Sequence, residues 1–282
     1  RILSLFIVLA AYLVLSAHLV LAQDRLVSDF EFQYEKYRQQ YTEYEAARNE
    51  FLKANTLTTQ NIAIDKTKQL LLQRAQVLRT YFLALKFKIN SNLGIAKDDQ
   101  IKFSNALDDE IGWLQSHMDD LSKIQNPTLN DLFEISKRLE RKEIDYRVLT
   151  YQTLTMIMIG KVQVLNQEFV AISTELKPYI DRSGVNYLQN WLYDAQNSAY
   201  QSMKNVDAAT ALLPELKRRG SNETQIIIVY SDIQSNLETA NINIQKGIGF
   251  QKEIIRDLDK RLGPTRIRDI INKNATTSSD IK

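Results

Sequence analysis

The amino-acid sequence predicts an all-α protein, an elongated bundle of five to seven long helices with heptad, coiled-coil-like seams. Three observations lead there. Glycine (8) and proline (4) are scarce in 282 residues, and sheets or wound α/β folds need many such turn residues. Apolar side chains recur at intervals of four and three, the spacing of one helix face, along most of the chain. The four prolines, Pro127, Pro178, Pro214 and Pro264, stand where helix breaks are wanted, three of them directly after Asn126, Lys177 and Gly263.

The first 22 residues, RILSLFIVLAAYLVLSAHLVLA, carry one charge, Arg1. They end in Val20-Leu21-Ala22 before Gln23, the small-residue pattern a signal peptidase cuts, so cleavage is expected between Ala22 and Gln23. As a helix the same run would extend roughly 30 Å, enough to span a bilayer core, and an uncleaved membrane anchor is the alternative. Either way the remainder is expected outside the cytoplasm, and no later segment is expected to cross a membrane.

The mature chain is expected to form one helical domain over residues 23–263, with residues 24–93 as a leading hairpin. A first helix covers about residues 24–55, with Phe30, Tyr34, Tyr37, Tyr41, Tyr44 and Phe51 on one seam. A second, to about residue 92, carries Leu71, Ala75, Leu78, Phe82, Leu85 and Ile89, against which the tyrosines are expected to pack antiparallel. Asp98 or Asp99 caps a third, with Leu107, Ile111, Leu114, Met118 and Leu121 inward; residues 94–99 are a hinge candidate. Thr128 with Asp131 opens a fourth in capping-box fashion. It is expected to run unbroken to about residue 177 and, with a single charge, Lys161, across residues 149–166, to be the central helix. A fifth follows Pro178, with a break near Ser183-Gly184 and a kink at Pro214. A sixth starts at Ser221 or Asn222 and carries a four-residue stutter at Gly247 and Gly249. Residues 264–282 read as a disordered tail.

Charge and composition exclude several functions. A net charge of +2 carries no global signature of a nucleic-acid binder. With no cysteine there is no disulfide, thiolate nucleophile or thiolate metal site. An exported chain of that kind suits a bacterial envelope, and the triplets at Asn222 and Asn274 read as chance matches to a glycosylation signal. His18 lies in the leader, leaving His117 as the one mature histidine; Asp120 and Glu110 near it make a metal site conceivable, but the reading adopted is that it is dispensable. Adjacent carboxylates (Asp98-Asp99, Asp108-Asp109-Glu110, Asp119-Asp120) diverge on a helix and read as solvated faces. The basic runs KRLERKE at residues 137–143 and Lys217-Arg218-Arg219 read as an exposed helix face and a helix end. No catalytic, cofactor-binding or metal-binding residue is assigned.

The aromatic residues are the candidate interaction features. Phe30, Tyr34, Tyr37, Tyr41, Tyr44 and Phe51 read as a packing seam with wet hydroxyl edges, or else as an exposed stripe for a partner. On the fifth helix, Tyr187, Trp191, Tyr193 and Tyr200 interleave with Gln189, Asn190, Gln196, Asn197, Gln201 and Asn205; the reading adopted turns these aromatics inward, the sharper one makes them a sugar platform.

The segments YEKYRQQYTEYEAARNEFL, QVLRTYFLALK, EIGWLQSHMDDL and IGKVQVL resemble those of exported, all-helical proteins of unknown function from ultrasmall, reduced-genome bacteria. The resemblance implies export, helices and no known activity, so it carries no site over. The function expected is therefore a non-enzymatic extracytoplasmic structural or protein-interaction module. Its partner would be another protein or a second copy, with no cofactor, no nucleic acid, and the membrane engaged only if the leader is retained. The alternative is a helical domain that binds or senses a small molecule or glycan.

Overall fold

Capping chemistry sets the helix boundaries. In the computed structural model, which describes residues 2–220 and 222–262 and, within them, the side chains of residues 25–261, Thr56 and Thr59 form a capping box. The Thr59 N–H donates to the Thr56 hydroxyl at 3.2 Å and the Thr56 N–H to the Thr59 hydroxyl at 3.1 Å. Asn55, in the left-handed region at φ 46°, turns the chain just before it. Thr128 and Asp131 repeat the box, and its hydrogen bonds hold the Asp131 carboxyl below its ordinary pKa. Seven helices result among the described residues: α1 (Ile2–Ala54), α2 (Leu57–Asn90), α3 (Lys97–Lys123), α4 (Leu129–Arg141), α5 (Glu143–Ser183), α6 (Asn186–Arg218) and α7 (Glu223–Leu262). No strand occurs among the described residues.

Two boundaries differ from expectation. The long fourth helix is split at Lys142, whose side chain is held by a neighbouring helix. Pro178 lies inside α5 rather than at a helix start, while Pro214 lies inside α6, within the helix expected to hold it. A proline removes one N–H, but Leu176 and Ile180 flank Pro178 as buried core residues, and Leu216 follows Pro214 fully buried, so packing outweighs the lost bond. The break falls instead at Gly184, whose φ of 65° suits glycine, and Val185 N–H bonds the Ser183 hydroxyl there. Near the start of α7 the Asn222 side chain accepts from the Gln225 N–H.

The chain forms two compact units, Arg1–Ser91 with Lys97–Thr153, and Asn92–Ala96 with Leu154–Lys282. The division inside α5 has no compositional marker.

In the first unit α1 and α2 form an antiparallel hairpin. Phe30 meets Tyr81 at 5.3 Å between ring centroids, the Gln73 amide donates to the Gln33 carbonyl and side chain, and Lys66 pairs with Glu43 at 2.9 Å. The α2 seam is shared: Leu78 and Phe82 line one cleft with Tyr34 and Tyr37, while other seam residues turn to α3, α4 and α5. Leu71 packs with Leu121, Leu132 and Ile135 of α3 and α4, and Phe82 sets its ring edgewise on Tyr146. Helix α2 is thus packed on two faces, and the apolar one serves α3 and α4, where each fully buried aliphatic side chain contributes about 1.5–3 kcal/mol.

In the second unit α6 and α7 run antiparallel in a register marked by Ser202 donating to the Ala240 carbonyl at 2.7 Å and Tyr187 donating to Asp257 at 2.8 Å. The later half of α5 lies on them. Phe169 packs with Ala195, Ala199 and Ile244; Leu176 and Ile180 pack with Leu188, Leu192, Ile254 and Leu258. The buried Gln251 amide donates to the Phe169 carbonyl and the Ser173 hydroxyl. Asn92, in the short connecting segment, donates to the Ile157 carbonyl at 2.8 Å, and a Cβ on Gly94 would stand 1.9 Å from the Gly160 carbonyl oxygen.

Across residues 146–166 only Lys161 is exposed. The stretch Leu129–Ser183 also contains a window long and apolar enough to cross a membrane, contrary to expectation; a buried core helix meets the same criterion. The Ala22–Gln23 junction and His18 lie in α1 among residues whose side chains are outside the described set, and residues 264–282 with Asn274 lie outside the described residues altogether.

Candidate functional site

Three helices of the first unit each offer one stripe, and α4 adds Leu139, to a common cleft of ≈ 360 Å³. From α1 come Tyr34 and Tyr37, three apart; from α2 come Arg74, Leu78 and Tyr81, spaced four and three; from α5 come Glu143, Arg147 and Thr150, again four and three. These intervals place side chains in a row along a helix. Aromatic rings wall the cleft and Val77 and Leu78 line it between them. At the charged edge the Arg147 Nη2 stands 3.3 Å from the Glu143 carboxylate and the Arg74 Nη2 3.8 Å from it. Glu140, also near Arg74, is bonded to Lys137 and Ser136, which hold its carboxyl below its ordinary pKa.

Beside the cleft, behind Tyr146, lies a filled aromatic box. Lys142 donates to both Glu110 oxygens while its ammonium stands 5.0 Å from the centroid of Trp113 and 5.8 Å from that of Tyr146. Trp113 stacks on His117 at 4.9 Å and 18°. Burial and the nearby Glu110 raise the Tyr146 pKa far above that of a free phenol. His117 is buried: it is 7% exposed, and its Nε2 has no hydrogen-bond partner. Burial first, and Arg138 second, lower its pKa, with Asp120 opposing. Among the described residues no group of three His, Asp or Glu side chains could hold a metal. The run at residues 137–143 is therefore mixed: Lys137 and Glu140 form an exposed pair, Lys142 enters the box, and Glu143 borders the cleft.

The α1 stripe is graded. Phe30, Tyr37, Tyr44 and Phe51 are half-buried, whereas Tyr34 is 47% and Tyr41 43% exposed. The Glu45 carboxylate, hydrogen-bonded to the Tyr41 hydroxyl, raises its pKa. On α6 the inward expectation fails for Tyr187, which is 39% exposed, and more strongly for two further residues. Tyr193 and Tyr200 are 69% and 66% exposed, with Asn197 between them on the same outward face. The inward positions hold Ala195, Ser198, Ala199 and Ser202, small enough to let α7 approach closely, and a ring has no room there. Trp191 does turn partly inward, edge-on to Tyr187 at 5.0 Å.

Sequence reasoning found Tyr34 and Tyr37 but missed Arg74, Tyr81, Glu143 and Arg147. Their four-and-three spacing was visible, but nothing in one sequence says which stripes converge.

Comparison with known proteins finds no matching family model, no matching curated protein and no matching solved structure.

Proposed function

We propose that this chain is a non-enzymatic, extracytoplasmic protein-interaction module, displayed after cleavage between Ala22 and Gln23 or held by the uncleaved segment. The observation that carries the reading is the outward placement of tyrosines on two helix faces, Tyr34 and Tyr41 on α1 and Tyr193 and Tyr200 on α6. A tyrosine gives a partner a large rigid contact area and a hydroxyl at low entropic cost, which is why such rings concentrate at interfaces. The partner would be another polypeptide or a second copy. Replacing Tyr193 and Tyr200 together by Ser tests this for the second copy. Concentration-dependent association in sedimentation velocity should be lost, with the melting temperature unchanged. For α1, Tyr41→Ala should leave the melting temperature unchanged, and Tyr37→Ala should lower it modestly. A drop of core size, about 3–5 kcal/mol for a fully buried ring, at Tyr41, Tyr193 or Tyr200 would show the rings to be packed and refute the reading.

A second reading, a helical domain that receives a small molecule, is favoured by one observation of its own: the cleft between α1, α2 and α5, whose volume falls within the ~300–1,000 Å³ of ligand sites.

A further inference from the structure

We infer, building on the protein-interaction reading, that the partner of α6 is a second copy of this chain, whose own α6 lies antiparallel across the first with Asn197 at the two-fold axis. Helix α6 carries two seams on opposite faces. One, through Leu188, Leu192, Ala195 and Ala199, is buried against α5 and α7. The other, through Tyr193, Asn197 and Tyr200, keeps the same four-and-three spacing and is exposed, the two rings by 69% and 66%. At that spacing it continues through Asn190 to Asn186 on one side and through Lys204 to Asp207 on the other, all of them exposed. A row of this rhythm is the surface one helix offers to another.

The residues that fill the seam select the partner and its direction. Its two charges, Lys204 and Asp207, sit near the same end. In a parallel pair each would meet its own counterpart, like charge against like in the same layer, which is unfavourable. Reversing one helix about Asn197 removes both conflicts. Asn190 and Lys204 each lie seven residues from Asn197, Tyr193 and Tyr200 four and three, and Asn186 and Asp207 eleven and ten. In the antiparallel pair Lys204 therefore comes opposite Asn190 of the other copy, Asp207 opposite Asn186, and Tyr193 opposite Tyr200 on both sides of the axis. Each charge then faces an amide, which can turn its oxygen to the ammonium or its NH₂ to the carboxylate. At the axis two Asn197 amides meet, each a donor and an acceptor for the other, in the kind of single polar layer that fixes the register of paired helices. Tyrosine rings above and below that layer shield it from water and suit each other as aromatic partners.

The chain has no cysteine, so single cysteines report the alignment without background. The full chain carrying Asn197→Cys, treated with a short bis-maleimide, should cross-link to itself. Asn186→Cys and Asp207→Cys should each stay uncross-linked alone, because like positions stand roughly 30 Å apart in the antiparallel pair. A mixture of those two variants should cross-link. Adding Tyr193→Ser and Tyr200→Ser to Asn197→Cys should abolish its cross-linking. Cross-linking of Asn186→Cys alone as readily as Asn197→Cys would mean a parallel pair and overturn the inference. Association of the natural chain in sedimentation velocity, with no cross-link at any of these positions, would place the interface elsewhere and overturn it too. A natural chain that sediments as a monomer, again with no cross-link, would overturn the second copy and leave the interaction reading standing for a different polypeptide. A core-sized loss of stability in the double tyrosine variant would instead refute that reading itself.

Discussion

The Lys142 ammonium donates to both oxygens of Glu110, at 2.9 and 2.7 Å, from the single residue that separates α4 from α5. The two side chains are 28% and 19% exposed, intermediate between a surface pair of negligible worth and a buried pair whose loss is severe. Glu110→Gln removes the countercharge but keeps the shape. It should lower stability by about 1–3 kcal/mol in denaturant titration. It should also reduce the near-ultraviolet signal of Trp113, whose ring the ammonium faces. An unchanged midpoint would make the pair a consequence of the helix break and not a support for it.

Stability should fall with acid through His117. Folding holds the imidazole neutral by lowering its pKa, while the unfolded chain titrates near the ordinary value of about 6.5. Below that pH the unfolded state takes up a proton that the folded state refuses, so this contribution is complete above it and is lost as the pH falls towards the folded pKa. The slope is at most about 1.4 kcal/mol per pH unit. Between pH 7 and 5 the natural chain should lose more stability than a His117→Phe variant, which keeps a ring against Trp113. Parallel losses would remove His117 from the account.

Two glycines should respond in opposite directions to alanine. At Gly94 the new Cβ meets the Gly160 carbonyl oxygen at 1.9 Å, a backbone atom that cannot swing aside, and Gly94→Ala should cost about 1–3 kcal/mol. Gly249 is helical with nothing within 4 Å of a new Cβ, so Gly249→Ala should gain about 0.5–1 kcal/mol from helix propensity. Thermal melts that move both variants the same way would contradict this packing.

The helices were legible because their signals are local. Thr128, Gly184 and the four-three spacing act within one or two turns, and they mark a helix start, a helix break and helical segments as expected. Lys142 was not legible as a break: its neighbours are good helix formers, and the charge that holds it is Glu110, 32 residues away. Pro178 misled for the same reason, since Leu176 and Ile180 on either side of it pack with Leu188 and Leu192 of α6 and with Ile254 and Leu258 of α7. Tyr34 and Tyr37 could be picked out by their residue type, whereas Arg74 and Arg147 have ordinary surface chemistry until a fold brings them to one carboxylate. The inward or outward turn of Tyr193 was undecidable from its own helix. It is fixed by how closely α7 comes to Ala195 and Ser198.

Repetitive seams carry an ambiguity that the buried amide of Gln251 resolves. Two helices with the same four-three rhythm can slide by one heptad, about 10 Å, and still match apolar side chains to apolar side chains. In that slipped state Gln251 would lose the Phe169 carbonyl and the Ser173 hydroxyl, and Ser202 would lose the Ala240 carbonyl, stranding polar groups in an apolar layer. Hydrophobic matching alone leaves several alignments nearly degenerate. These few polar contacts act as an index, selecting one alignment of α5, α6 and α7 and keeping the outward face of α6 the same from molecule to molecule.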